Sequence, residues 1–135
     1  MASTNEQARL QLLDALAQAV DDIADAVAAL GAAYEELDEQ HADEIEDRLY
    51  RPAQHAYGRA KRTHSEFAAR HGLPAGEFRT PTPRAPSTGV KGLVEIAVES
   101  IGRAEAGLVE MQDSFMPVEF GDPELRAGLS EVREL

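Results

Sequence analysis

Apolar residues recur at alternating steps of three and four from Leu13 to Leu37: Leu13, Leu16, Val20, Ile23, Val27, Leu30, Tyr34 and Leu37. That is the period at which one face of an α-helix is buried against other helices. A second run reads Val94, Ala97, Ile101, Ala104, Leu108, Met111 and Phe115. Two such seams predict an all-α fold, an up-and-down helical bundle with a long N-terminal helix.

The pattern also places the element boundaries. Ser3 with Glu6, and Thr4 with Gln7, form overlapping capping boxes, so the first helix should start there. Small residues flank its seam: Ala17, Ala24 and Gly31 on one side, Ala19, Ala26 and Ala33 on the other. Small flanks let neighbouring backbones approach closely. Residues 26–33 carry no polar side chain, so either helices cover this stretch on all sides or the chain turns near Gly31. The phase runs through Gly31 without a slip and no Asn, Asp, Ser or Pro marks a turn, which favours one continuous helix.

The stripe continues as Leu37, His41, Ile45, Leu49, Ala53, Ala56, Ala60 and Phe67, interrupted by Pro52. A proline inside a helix removes a hydrogen bond and crowds the preceding turn, so a kink or break is expected near Tyr50–Pro52. The helix should resume to His71, with Gly72 as its C′ residue. Residues 72–88 read as a Pro-rich linker within a single domain spanning 1–135, and Pro83 and Pro86 form a minimal PxxP that reads as spacer. Ser87 or Thr88 should cap the next helix, stopped by Pro117 after about Met116. Asp122 and Pro123 supply an N-cap and an N1 proline for a last, short helix that buries Leu125, Leu129 and Val132.

Composition narrows the chemistry. The chain has 135 residues, enough for one domain with a real core, and no cysteine, which excludes disulfides, thiolate metal sites and cysteine nucleophiles. There is no apolar run long enough to span a membrane and no signal-peptide pattern near the N-terminus, so a soluble, cytoplasmic protein is expected. The net charge is −12, and its distribution is uneven. Residues 1–47 hold 13 acidic and 1 basic side chains, residues 48–91 hold 2 and 9, and residues 92–135 hold 10 and 3. The basic middle is read first as a helix that pairs with acidic neighbours in the bundle. An anion site built from Arg48, Arg51, Arg59, Lys61 and Arg62 is the sharper alternative. Nucleic acid is disfavoured as a partner by the acidic remainder and by the lack of a helix-turn-helix pattern.

Candidate sites are few. A di-iron bundle needs Glu-x-x-His pairs, yet the residues three before His41, His55, His64 and His71 are Asp38, Pro52, Lys61 and Ala68. His41 sits at a seam position between Asp38 and Glu44. It is read as a partly buried histidine bonded to one carboxylate, or as half of a metal site made by Asp38, His41 and Glu44. Tyr50, Tyr57, His64 and His71 recur every seven residues, with Arg48, His55, Arg59 and Arg62 nearby. Such an edge can bind an aromatic or anionic molecule, or form a packed shoulder of the core. No nucleophile elbow, phosphate loop, dinucleotide fingerprint or zinc-protease motif occurs. The sequence therefore points to a non-enzymatic interaction or scaffold module with no cofactor. Its expected partner is itself, through the uncharged 26–33 stretch, or another protein. A small-ligand or metal-binding bundle is the alternative, and an anion- or nucleic-acid-binding accessory protein using residues 48–70 is a further one.

Overall fold

A computed structural model describes residues 4–74, 76, 78, 89–114 and 121–134. They form α1 (Thr4–Glu36), α2 (Glu39–Ile45), a π-helical turn (Glu46–Tyr50), α3 (Arg51–Arg70), α4 (Gly89–Asp113) and α5 (Pro123–Glu134). The fold is all-α, a helical bundle, as the two seams predict. Ser3, the PxxP, the caps at Ser87 and Thr88, Phe115, Met116 and Pro117 lie outside the described residues.

α1 runs unbroken through Gly31. Every residue from Ala26 to Ala33 is buried within the single chain. That removes the sequence argument for self-association through this stretch, because the chain's own packing already covers it. α1 carries two buried faces rather than one: Leu13, Leu16, Val20, Ile23, Val27 and Leu30, and beside them Leu12, Ala19, Ala26 and Ala33. A helix wetted on only one side needs such a doubled stripe to meet two neighbours.

The chain turns at Leu37–Asp38, a break the continuous apolar stripe conceals. Asp38 adopts an extended backbone (ψ 167°), and its carboxylate accepts the His41 N–H at 2.9 Å, capping α2. Pro52 causes no break of its own. The backbone stays right-handed helical from Ile45 through Tyr50 into Arg51, so the proline lies within a continuing helix rather than at a free start. The adjustment appears one turn earlier, where Arg51 donates its N–H to the Glu46 carbonyl five residues back. α3 ends as the sequence predicts. Gly72 is left-handed (φ 64°), and the Leu73 N–H reaches the Ala68 carbonyl at 2.8 Å while the Gly72 N–H reaches Ala69 at 3.3 Å.

Pairwise contacts give the topology. Tyr34 packs on Tyr50 at one end of α1 and α3, while His64 lies by Leu13 and Asp14 at the other, so these helices are antiparallel. α5 lies antiparallel to α3, tied by Arg70–Asp122 at 2.8 Å and Arg59–Glu131 at 2.8 Å. Its level is thus opposite the N-terminal two thirds of α1. On α4, Arg103 reaches the buried Asp22 at 3.6 Å, and Gln112, nine residues on, reaches Ser130 and Arg133 of α5. α4 therefore runs back along α1 toward its N-terminal end. Neither α1 and α5 nor α3 and α4 are in backbone contact. The helices stand at the corners of a square in the order α1, α3, α5, α4, with neighbours antiparallel, and the Pro-rich segment joins diagonal corners.

The core centres on Phe67, Leu16, Leu30, Leu93, Leu125, Leu129 and Val20, all essentially without exposure. α4 buries Leu93, Ala97, Ser100, Ala104, Leu108 and Met111, which corrects the expected seam by one residue at two levels: Leu93 replaces Val94, and Ser100 replaces Ile101. Ser100 accepts a hydrogen bond from Arg103 at 3.0 Å. A small hydrogen-bonded serine fits where helices approach closely; a hydrophobicity pattern misses it. α5 buries Leu125, Leu129 and Val132 as expected. A side chain at Gly128 would overlap Thr63 of α3, so this glycine sets the α3–α5 spacing.

Candidate functional site

The residues singled out in the sequence do not assemble into one site. His41 is 61% exposed, not in a seam, because the turn at Asp38 rotates α2 away from the α1 phase. Its Nδ1 lies 2.8 and 2.9 Å from the two Asp38 oxygens. The His41 N–H, then its ring, draw the Asp38 carboxyl below its ordinary value. Glu44 is exposed. Among the described residues no three His, Asp or Glu side chains come together in a set that could hold a metal ion.

The tyrosine–histidine edge is the α1–α3 contact. Tyr50 is half-buried, 6.0 Å from Tyr34 between ring centroids. Tyr57 is buried with the Lys61 ammonium 5.0 Å over its ring, and burial together with the Asp21 charge raises its pKa. His64 is buried, edge-on to Phe78 at 5.0 Å, and its Nδ1 has no hydrogen-bond partner. Burial pushes the His64 pKa down, against the opposing pull of the Leu13 backbone and Asp14. The ring stays neutral at pH values where an exposed histidine is half protonated. The unfolded chain then binds the extra proton first, so stability falls as pH drops below about 6.5. NMR titration of the ring carbons should show His64 protonating below the ordinary histidine value.

His55 and Arg62 lie exposed on the outer face of α3, while Arg59 is half-buried and held by Glu131. The three line a shallow open depression with Lys61. Arg51 pairs with Glu46 at 3.5 Å and Asp47 at 3.2 Å, and Arg70 with Asp122. Arg51, Arg59 and Arg70 are thus matched to carboxylates of this chain, while Arg48, Lys61 and Arg62 have no ion pair among the described residues. Asp122 is the main junction. It caps α5 through the Leu125 N–H at 2.7 Å, accepts two Arg70 hydrogen bonds at 2.8 Å and lies 3.0 Å from His71 Nε2. Burial alone would raise this carboxyl, but Arg70, the Leu125 N–H and His71 outweigh it and hold it at about 2.

Among the described residues a concave apolar site lies between helices, and Arg48 stands on it. α5 has 12 residues against 20 in α3 and 25 in α4, so the corner between α3 and α4 is filled over only part of its length. A slot of about 280 Å³ opens there. Buried Ile23, Ala53, Ala56, Ala104, Leu108 and Val132 form its floor, half-buried Leu49, Pro52 and Ile101 its walls, and exposed Arg48, Glu105 and Arg133 its lip. Three alanines keep the floor open, since larger residues at these positions would fill the space. Val98, 58% exposed one turn before Ile101 on α4, extends the apolar strip outward. Most of these residues read as core in the sequence because they share the core's spacing. The legible signal was the shortness of the last helix.

Compared with known proteins, the chain matches no family model, no curated protein and no solved structure. Among the described residues, no helix is long and apolar enough to cross a membrane.

Proposed function

We propose that this chain is a non-enzymatic binding module whose working surface is the slot between α3 and α4. The observation that carries the reading is the slot itself: an apolar cavity with a buried floor and a charged lip, left because α5 is too short to close its corner. Ligand sites on helical bundles lie between helices and combine an apolar lining with a few polar groups. The reading keeps the interaction role suggested by sequence and gives it a location. The pairing of Arg51, Arg59 and Arg70 within the chain weighs against a polyanion surface on α3.

A neutral apolar fluorophore, N-phenyl-1-naphthylamine, tests it. The purified protein should bind one equivalent with a Kd of about 10 μM or tighter. Ala56→Leu fills the floor and should weaken binding at least about tenfold, with the helical circular dichroism melt retained. Ile101→Lys places a charge on the half-buried wall and should do the same without disturbing a fully buried position. No saturable binding, or equal binding in both folded variants, contradicts the reading.

A further inference from the structure

We infer that the slot takes a single-chain carboxylic acid of medium length, its chain on the alanine floor and its carboxylate at Arg48 and Arg133. The inference rests on the binding-module reading and adds the ligand's class. The charge of the lip supplies the argument. The protein as a whole is strongly acidic, at −12, yet the slot's lining holds two guanidinium groups and one carboxylate, Glu105. Arg48 is exposed and, like Arg62 on the outer face of α3, has no ion pair or hydrogen bond among the described residues, while Arg51, Arg59 and Arg70 are taken by Glu46, Asp47, Glu131 and Asp122; of the two, Arg48 is the one that lines the slot. Arg133 donates to a neutral amide, Gln112 Oε1, at 2.6 Å and keeps further N–H groups in hand. A guanidinium without a carboxylate partner beside an apolar cavity matches a ligand whose anionic head and apolar tail are joined.

The cavity's size limits the tail. About 280 Å³ lies at the lower edge of small-molecule sites, which run from roughly 300 to 1,000 Å³. One alkyl chain or one compact aromatic molecule fits; a folded two-chain lipid does not. The floor is apolar throughout, so each added methylene should tighten binding by roughly fourfold until the slot is full.

The test is displacement of N-phenyl-1-naphthylamine at pH 7 by three ligands with the same ten-carbon chain: decanoate, methyl decanoate and decylammonium, each below its aggregation concentration. Decanoate should compete about tenfold better than the ester, and decylammonium worst. Arg48→Gln should cost decanoate about fivefold and leave the ester unchanged, and Glu105→Gln should tighten decanoate. Hexanoate should compete far more weakly than decanoate. Equal displacement by all three ligands, or preference for the ammonium, overturns the carboxylate inference while the module reading stands. If the fluorophore never binds, the module reading itself has failed.

Discussion

Replacing Phe67 with alanine should cost about 3–5 kcal/mol, the largest single loss in the molecule. Phe67 is the largest of the fully buried side chains and sits where α3 meets the core. Its ring also supports polar groups that join α3 to α5: His71 packs on it at 4.5 Å between centroids, and the Arg70 guanidinium carbon lies 6.0 Å from its centre. Truncation removes apolar contact and leaves a cavity, because helices tied at Gly128 and Asp122 cannot collapse freely into it. A domain of this size has about 5–15 kcal/mol of stability, so the variant keeps only part of it. The expected reading is a melting temperature lower by roughly 10–20 °C. Phe67→Leu, which retains most of the volume, should lose less than half as much. A Phe67→Ala protein that melts within 3 °C of the parent would show that this part of the core is misplaced.

Asp122→Ala should cost about 2–3 kcal/mol, more than any other change at a polar site. Loss of the N-cap of α5 accounts for about 1 kcal/mol. Loss of the two-pronged Arg70 pair adds roughly 1–2 kcal/mol after allowance for solvent screening of its partly exposed guanidinium. Asp122→Asn separates the two, since asparagine still caps a helix but does not pair with Arg70; it should lose about half as much. The pH dependence follows from the same contacts. The folded carboxyl titrates at about 2 against an ordinary 3.8, so the unfolded chain binds the proton first as pH falls. The contribution is present in full above about pH 4 and fades through 3.8 toward 2. Urea midpoints of the parent and Asp122→Ala should therefore converge in acid, and a constant gap from pH 7 to pH 2.5 would contradict the assignment.

The seam of α1 was legible because twenty-five residues of regular spacing, Leu13 to Leu37, admit one interpretation, and Gly31 broke neither spacing nor polarity. The turn at Asp38 was not. Leu37, His41 and Ile45 keep the helical step across it, and the stop is made by one carboxylate taking the His41 N–H rather than by glycine or proline. Pro52 marked the right place but not the form of the disturbance: the chain does not break, and the irregularity is the π turn that ends at Tyr50. On α4, hydrophobicity chose Ile101 where the fold buries Ser100, since helix proximity rewards a small side chain that finds a hydrogen bond. Charge distribution foretold part of the internal pairing: Arg59 and Arg70 pair with α5, while Arg48, Lys61 and Arg62 have no carboxylate partner among the described residues. The diagonal connection could not be read, because a linker of seventeen residues can reach either corner. The slot was hidden for a related reason: its floor residues belong to the core by spacing and become a site only where α5 stops short.

The claim at the centre of this account is that the corner left open by α5 receives an apolar molecule. Transfer of magnetisation between bound N-phenyl-1-naphthylamine and the protein's methyl groups tests it most directly. Cross-peaks from the probe's rings to Leu49, Ile101, Leu108 and Val132, four positions contributed by α4, α5 and the π turn, are the result the account predicts. Cross-peaks confined to other methyls, such as those of Val90 and Val94, would place the probe elsewhere and contradict it.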